Sequence, residues 1–594
     1  MRGSSRRSLH RGLLRLGPLL PMLAFLSLLF LVPVAQLLLL SVEDNDGNLS
    51  WIQYRRLFAS DAYVRVLLIT LKISMWTTLI TVVAAYPIAY RLATSKTRSS
   101  GIIMLLVLLP LWTSFLVRTF AWIVLLGRNG VINGLLKWIG LTDAPLALIY
   151  NSTGVLIGMT HAMLPLAIFT MLPVMQSIPG DLVRAAGTLG ARPGQAFWLV
   201  YFPLSLPGVT ASGLMVFITS IGFFITPTFL GGNGEMMITQ VIIEQIQTLP
   251  NWGFAGAVSI LLLLTTLGFV AAYDAIFGMS NLTPTAAEAR PSSGFLAEAA
   301  ARIGKRLTHT MAHLAGGSSR LARRIGIVRR NPMAQGKSGR IRLFVTVLVV
   351  AFIAFPPIFI VPISFSRSEF MDWPPKGFTL DWYASYFVSG QWVSGTVRSL
   401  IVGVLTGLLA TVIAAPAAFA FTRREIPGRS IWYALALSPL IVPRIIIALG
   451  LFHLYAELGL IGTSLGLVLG HTVLAIPYVM LTMIAVLRLY DRRLDQAAAT
   501  LGANKWNTFW RVTFPLIRPG ILSGFLFAFL VSFDELTIAI FVTGGLTVTL
   551  PKLMWDAALL NVNPGLAAVS TIMLVFVTCL IVGAEILRRR SIRK

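Results

Sequence analysis

Asp534 and Glu535 stand side by side in SFDELTIAIF, a stretch otherwise apolar enough for the interior of a bilayer. A charge there is costly unless it faces a partner or a water-filled cavity, so the two acids are candidates for a solute pathway. Arg118, in FLVRTFAW, and Arg444, in SPLIVPRIII, have the same problem with the opposite sign. Two chemistries follow. The acids attract an ammonium group, with Trp112, Trp122 and Phe224 supplying aromatic faces for a cation. Alternatively, the arginines pair with the acids, or they receive a zwitterionic or anionic solute.

Other constellations give little. The only approach to a nucleotide-binding loop is Gly336-Lys337-Ser338, but Asn331 stands where its first glycine belongs and no strand–loop–helix context surrounds it. Any ATP hydrolysis must therefore come from another chain. His161 and His471 fall in corresponding apolar runs and read as packed helix histidines. His309 and His313 lack acids or cysteines to complete a metal site, and the single cysteine, Cys579, allows no disulfide within the chain. No catalytic residue and no metal site is expected.

The elements that must position these charges are membrane helices. The 594 residues are 56% hydrophobic and only 12% charged, with mean hydropathy +0.80. Soluble domains are about 25% charged. Apolar runs of spanning length occur near 17–41, 64–92, 101–127, 152–177, 205–230 and 254–277, and again near 342–366, 394–421, 429–455, 464–488, 518–542 and 565–587. The first follows five arginines but is too long for a signal peptide, and reads as a retained span. The net charge of +26 lies between the runs, which suits loops beside anionic lipid rather than nucleic acid.

A repeat organises the runs. Ala185–Gly208 and Ala497–Gly520 align without a gap and share fourteen of 24 residues, 312 positions apart. Further upstream, Pro87 pairs with Pro416, Pro110 with Pro439 and Gly130 with Gly459, all 329 apart. The change of offset marks a 17-residue insertion in the first half, within LLKWIGLTDAPLALIYNS. Six spans per half make the repeat parallel, with its axis along the membrane normal.

Lysine and arginine cluster before the first run, after the second, between the eighth and ninth, and around the second twin segment. The positive-inside rule then puts the termini and both twin segments in the cytoplasm. Residues 278–341 form a basic linker with eleven Lys/Arg and two Glu. Ala299, Ile303, Leu307 and Met311 suit an amphipathic helix on the inner leaflet, and a solvated tether fits equally well.

The twin segments carry Ala-Ala-x-Thr-Leu-Gly-Ala followed by Pro-x-x-x-Pro-Gly. This resembles the cytoplasmic "EAA" loop of ABC-importer permeases, and the six-helix halves resemble the type I permease fold. The resemblance implies that each segment is a coupling helix docking on an ATPase subunit, through Ala185, Ala186 and Gly190 in one half and Ala497, Ala498 and Gly502 in the other. The small residues allow close approach and the glycines a sharp reversal. Phe197, Trp198, Phe509 and Trp510 would anchor the segments to the membrane domain. The family's glutamate before Ala-Ala is replaced by Arg184 and Gln496, so docking would lean on the small residues, the aromatic patch and Asp181 or Asp495.

TSFLVRTFAWIVLLGRNGVIN, WPPKGFTLDWYASYF and SFDELTIAIFVTGG further resemble the two separate permeases of spermidine/putrescine importers, here joined in one chain. The expectation is an all-α membrane protein of about twelve transmembrane helices in two parallel type I permease repeats. Residues 1–277 form the first lobe (coupling segment 181–208), 278–341 the linker and 342–594 the second lobe (coupling segment 495–520). The chain would lie in a bacterial inner membrane with both termini cytoplasmic, contact lipid and bind no nucleic acid. It would pair with two copies of an ATPase subunit, which hold ATP and Mg, and with a periplasmic solute-binding protein. It would import a small, polyamine-like solute by alternating access, with no cofactor of its own. An amino acid derivative, an opine or a phosphonate is the alternative solute, and an ion-coupled secondary transporter the alternative mechanism.

Overall fold

The computed structural model describes residues 16–44, 47–95, 97–111, 113–277, 310, 337–371, 373–375, 377–545 and 547–593. The proposed linker helix, His309, His313 and Trp112 lie outside the described residues.

Nine principal helices in the first lobe recur in the second. They are α1 (Gly17–Leu40), α2 (Asp61–Thr94), α3 (Arg98–Leu111), α4 (Phe115–Leu126), α5 (Ser152–Ser177), α6 (Gly180–Thr188), α7 (Pro193–Ile221), α8 (Ile225–Leu230) and α9 (Trp252–Phe277). Their counterparts are α10 (Lys337–Ile363), α11 (Gly390–Arg423), α12 (Arg429–Ile441), α13 (Arg444–Leu458), α14 (Ser464–Leu489), α15 (Arg493–Thr500), α16 (Lys505–Phe533), α17 (Thr537–Val542) and α18 (Pro564–Arg593). The match extends to length: α2 and α11 have 34 residues, α5 and α14 have 26, α7 and α16 have 29. At 1.5 Å per residue, α2 and α11 reach about 50 Å, so they tilt or project beyond a hydrocarbon core of about 30 Å.

In each lobe the second, fifth and seventh helices pack on one another as a bundle, α2 with α5 and α7, and α11 with α14 and α16. The first helices are exchanged. α1 packs on α13 of the second lobe, and α10 packs on α2, α3 and α4 of the first. At Gly450 in α13, a β-carbon would lie 2.7 Å from the Pro33 carbonyl oxygen of α1, so only glycine admits this approach. The exchange ties the lobes together through apolar side chains and through His161 of α5, whose Nε2 lies 3.0 Å from the Ile353 carbonyl of α10.

All twelve apolar runs become helical, but four are broken. Ten helices among the described residues are long and apolar enough to span, or eleven if α12 and α13 count as one span bent by 95°. The third run of each lobe breaks at Thr113-Ser114 and at Val442-Pro443, positions 329 apart. The fifth breaks at 222–224 and at 534–536, positions 312 apart. Continuous periodicity hid these breaks. Their signals were Gly222 and Pro443, a glycine and a proline deep in apolar sequence.

Candidate functional site

The twin segments form α6 and α15, which bury none of their residues. Each ends in the same left-handed cap. Gly190 has φ +87° and Gly502 φ +86°, where a β-carbon is disfavoured. Gly190 N–H donates to Gly187 and Ala191 N–H to Ala186; Gly502 N–H donates to Ala499 and Ala503 N–H to Ala498. These two bonds per end define a Schellman cap. The cap explains the Leu-Gly-Ala spacing and the reversal expected of the glycines. It also turns Leu189 and Leu501 outward, each 88% exposed. Sequence reasoning missed these leucines, although they occupy the same place in both copies. Ala186 and Ala498 are half-buried, while Ala185, Ala497, Arg184 and Gln496 are exposed.

After each cap a turn of π-helix, Phe197–Tyr201 or Phe509–Thr513, seats the segment. Phe197 meets Tyr90 of α2 with ring centroids 5.4 Å apart, and Phe509 meets Phe419 of α11 at 6.3 Å. Trp198 and Trp510 pack on Phe202 and Phe514. The two acids expected to help docking are already engaged. Asp181 pairs with Arg184 on its own helix. Asp495 accepts from Arg423 at 2.5 Å, from the Tyr490 hydroxyl at 2.5 Å and from Thr513 at 2.8 Å. Partial burial opposes its ionisation, but these three donors outweigh that and hold its carboxyl below the ordinary range.

The four helix breaks meet between the lobes. A β-carbon at Gly222 would lie 3.2 Å from Pro443, and at the equivalent contact Asp534 lies beside Ser114 and the Phe115 N–H. One contact is apolar and its symmetry mate is polar. Asp534 thereby approaches the N-terminus of α4, capped by Ser114, from the opposite lobe. Glu535, 1% exposed, caps its own half-helix α17, accepting from Thr537 N–H at 3.0 Å, Ile538 at 2.8 Å and Ala539 at 3.3 Å. Half-helix N-termini attract negative charge, which supports both placements.

The arginines complete the cluster. Arg118, 3% exposed, lies over the Phe115 ring at 4.2 Å and donates to the carbonyls of Ala162 at 3.1 Å and Ser114 at 3.4 Å. Arg444 opens α13 and lies beside Tyr478 of α14. Asp534 feels both arginines, and Glu535 feels Arg444. Two acids and two bases balance formally, as buried charges must. His471 extends the cluster: its Nδ1 is 2.8 Å from the Ser532 hydroxyl, and its Nε2 is 3.7 Å from Glu535.

The structure thus brings together Arg118, Arg444, Asp534 and Glu535. Trp122, one turn beyond Arg118, instead packs against His161 and Phe352, with ring centroids 5.6 Å and 5.2 Å away. Phe224 packs on Trp555 at 5.2 Å. Ser114, Tyr478 and His471 join the cluster, although sequence reasoning passed over the first two and read the third as packing. At the far end of α5 from α6, a cavity of about 600 Å³ opens between the lobes, lined by Arg128, Tyr150 and Thr228 of one and Met371, Leu560 and Asn561 of the other.

The sequence model for "Binding-protein-dependent transport system inner membrane component" matches residues 82–277 and 403–593, well over half of the chain and once in each lobe. The spermidine/putrescine transport system permease protein PotB of Haemophilus influenzae is 31% identical over 241 residues, covering 39% of this chain and 84% of PotB. PotC of the same organism is 28% identical over 248 residues, covering 41% of this chain and 95% of PotC. PotB of Escherichia coli is 30% identical over 200 residues, covering 34% of this chain and 73% of PotB. Among solved structures, a bacterial ABC transporter that imports the acidic polysaccharide alginate aligns over 43% of this chain and 98% of its own, at 16% identity and TM-score 0.34, too distant to bear on function. Two matched family units, two matched sets of helices and spans of membrane length lead to one conclusion: this multi-pass chain belongs to the family of binding-protein-dependent transport system inner membrane components, and it carries two family units in one polypeptide.

Proposed function

We propose that this chain is the fused two-lobe permease of an ATP-driven importer for a small cationic amine of the polyamine class. The observation that carries the reading is the duplicated α6 and α15, which bury no residue and each offer an outward leucine beside a left-handed glycine cap. One ATPase subunit docks under each, so Ala185, Ala186 and Gly190, and Ala497, Ala498 and Gly502, form the coupling surfaces. ATP and Mg belong to those subunits. Both termini and both segments face the cytoplasm, and a binding protein delivers solute at the opposite face, above the cavity. ATP-driven approach of the segments rocks the lobes and parts the helix breaks, exposing Asp534 and Glu535 to the solute.

The polyamine assignment draws on the spermidine/putrescine permeases among the relatives and on the paired acids at the lobe boundary. The two arginines in the cluster favour a second reading, a zwitterionic solute such as an amino acid derivative. Binding assays on the partner binding protein with spermidine, putrescine and zwitterionic competitors decide between them.

Leu189→Asp with Leu501→Asp tests the docking reading. Both side chains are almost wholly exposed, so the double variant is expected to insert and fold normally. Co-purification with the ATPase is expected to fall at least about tenfold, or ~1.4 kcal/mol. Undiminished co-purification would refute docking at these caps.

A further inference from the structure

Two buried acceptors face each other in the second lobe. The Ser532 hydroxyl gives its one hydrogen to Thr406, at 3.3 Å, so in its 2.8 Å contact with His471 it accepts from Nδ1. The neutral ring carries its proton there, and Nε2 is a bare lone pair. Nε2 has no hydrogen-bond partner among the described residues, and 3.7 Å from it lies Oε2 of Glu535, also an acceptor. His471 and Glu535 are each 1% exposed. A buried lone pair without a donor is costly, and setting it against a carboxylate adds repulsion.

Both acceptors belong to the same lobe, Glu535 at the break before α17 and His471 on α14, so they stay together when the lobes part. The charge does not stay balanced. Asp534, Glu535 and Arg444 are second-lobe residues, two acids against one base, whereas Arg118 of the first lobe supplies the second positive charge of the closed cluster. Parting the lobes in the proposed transport cycle withdraws Arg118 and leaves the second lobe with an excess negative charge, which favours a cation. The first lobe cannot offer the same site. Its positions equivalent to Arg444, His471 and Glu535 are Phe115, Met159 and Phe223. Phe115 and Phe223 meet edge to face with ring centroids 5.1 Å apart, and the Met159 sulfur accepts from Thr77 at 3.9 Å.

We propose that Glu535 and His471 form the seat of one ammonium group of the solute, which donates an N–H to each acceptor. This rests on the permease reading of the same cluster. A primary or secondary ammonium has the two hydrogens that two acceptors require, and a quaternary ammonium carries the charge but has none. His471 therefore selects among cations by hydrogen bonding, while the acids select for charge.

Two measurements test the seat. In the first, the chain and its ATPase are held in the ATP-bound state without binding protein, and bound labelled putrescine is displaced by unlabelled putrescine or by its hexamethyl, doubly quaternary analogue. The analogue keeps the charges and lacks the donors, so it is expected to displace at least about tenfold less effectively. Equal displacement would overturn the proposal. Failure of a transporting complex to retain putrescine would overturn it too, since a proton or a water then serves the two acceptors. The second measurement compares His471→Met, which brings in the residue type of the first lobe, with His471→Gln, whose amide oxygen keeps an acceptor. Solute imported per ATP hydrolysed in proteoliposomes cancels differences in yield and assembly. It is expected to fall at least about tenfold in His471→Met and to recover in His471→Gln. Import per ATP equal to the parent in His471→Met, or an equal loss in both variants, which makes His471 a packing residue, overturns the seat and leaves the permease reading standing. An ATPase that never engages the parent chain refutes the permease reading, and the seat falls with it.

Discussion

Asp534→Asn is expected to reduce solute uptake at least about tenfold, ~1.4 kcal/mol on the same scale as binding. The change keeps an oxygen beside Ser114 and the Phe115 N–H, so the contact with α4 survives in outline. What disappears is the negative charge facing Arg118, which is almost fully buried and otherwise has only carbonyl oxygens and an aromatic face. Arg118 then keeps its buried charge with less compensation, so thermal stability should fall along with transport. The double variant Asp534→Asn with Arg118→Gln separates the two losses. It restores charge balance, and stability should recover. If Asp534 served only to hold the lobes together, uptake would recover too. If the acid also meets the solute, as proposed, uptake stays low. Uptake into proteoliposomes and thermal unfolding of the same preparations provide both numbers.

The second large effect is expected from Gly190→Pro combined with Gly502→Pro. Proline holds φ near −65°, whereas these positions sit at +87° and +86°. It also deletes the N–H groups that close each cap on Gly187 and Ala499. The reversal cannot form, and Leu189 and Leu501 lose their outward presentation. ATP-driven uptake is expected to fall about a hundredfold or more, roughly 3 kcal/mol or above. Gly→Ala at the same positions should be milder, at about 1–2 kcal/mol each, because it retains the N–H and bears only the cost of the left-handed backbone. A β-carbon at either glycine would meet nothing within 4 Å, so the membrane bundle should be untouched. Normal protein yield with lost ATPase stimulation is the expected signature, and intact coupling in the proline variants would contradict it.

The parts of this molecule legible in its sequence were those governed by periodicity and repetition. Twelve apolar runs, the 312- and 329-residue offsets and the glycine caps all follow from patterns that a single chain displays twice. The cluster was half legible. Asp534, Glu535, Arg118 and Arg444 announce themselves as charges in apolar surroundings, but their partners do not. Ser114 and Tyr478 are ordinary polar residues that matter because Asp534 at a break of the other lobe approaches the first and Arg444 at a break of its own lobe the second. Hydropathy averages over a three-residue break, so runs such as 429–455 read as straight spans where the chain turns by 95°. The exchange of α1 and α10 between lobes was not legible either, since no local pattern says which bundle an apolar helix will join. Asp495 looked available for docking because its nearest charged partner, Arg423, is 72 residues away in sequence. Trp122 carried the right chemistry for a cation, yet its ring is taken up by His161 and Phe352.

The most direct test of ATP-driven import is reconstitution of the purified chain in liposomes with its ATPase subunit and its binding protein. The predicted result is accumulation of labelled putrescine or spermidine that requires ATP, the ATPase and loaded binding protein together, with none driven by a proton or sodium gradient across liposomes holding the chain alone. Gradient-driven accumulation by the chain without any ATPase would contradict it.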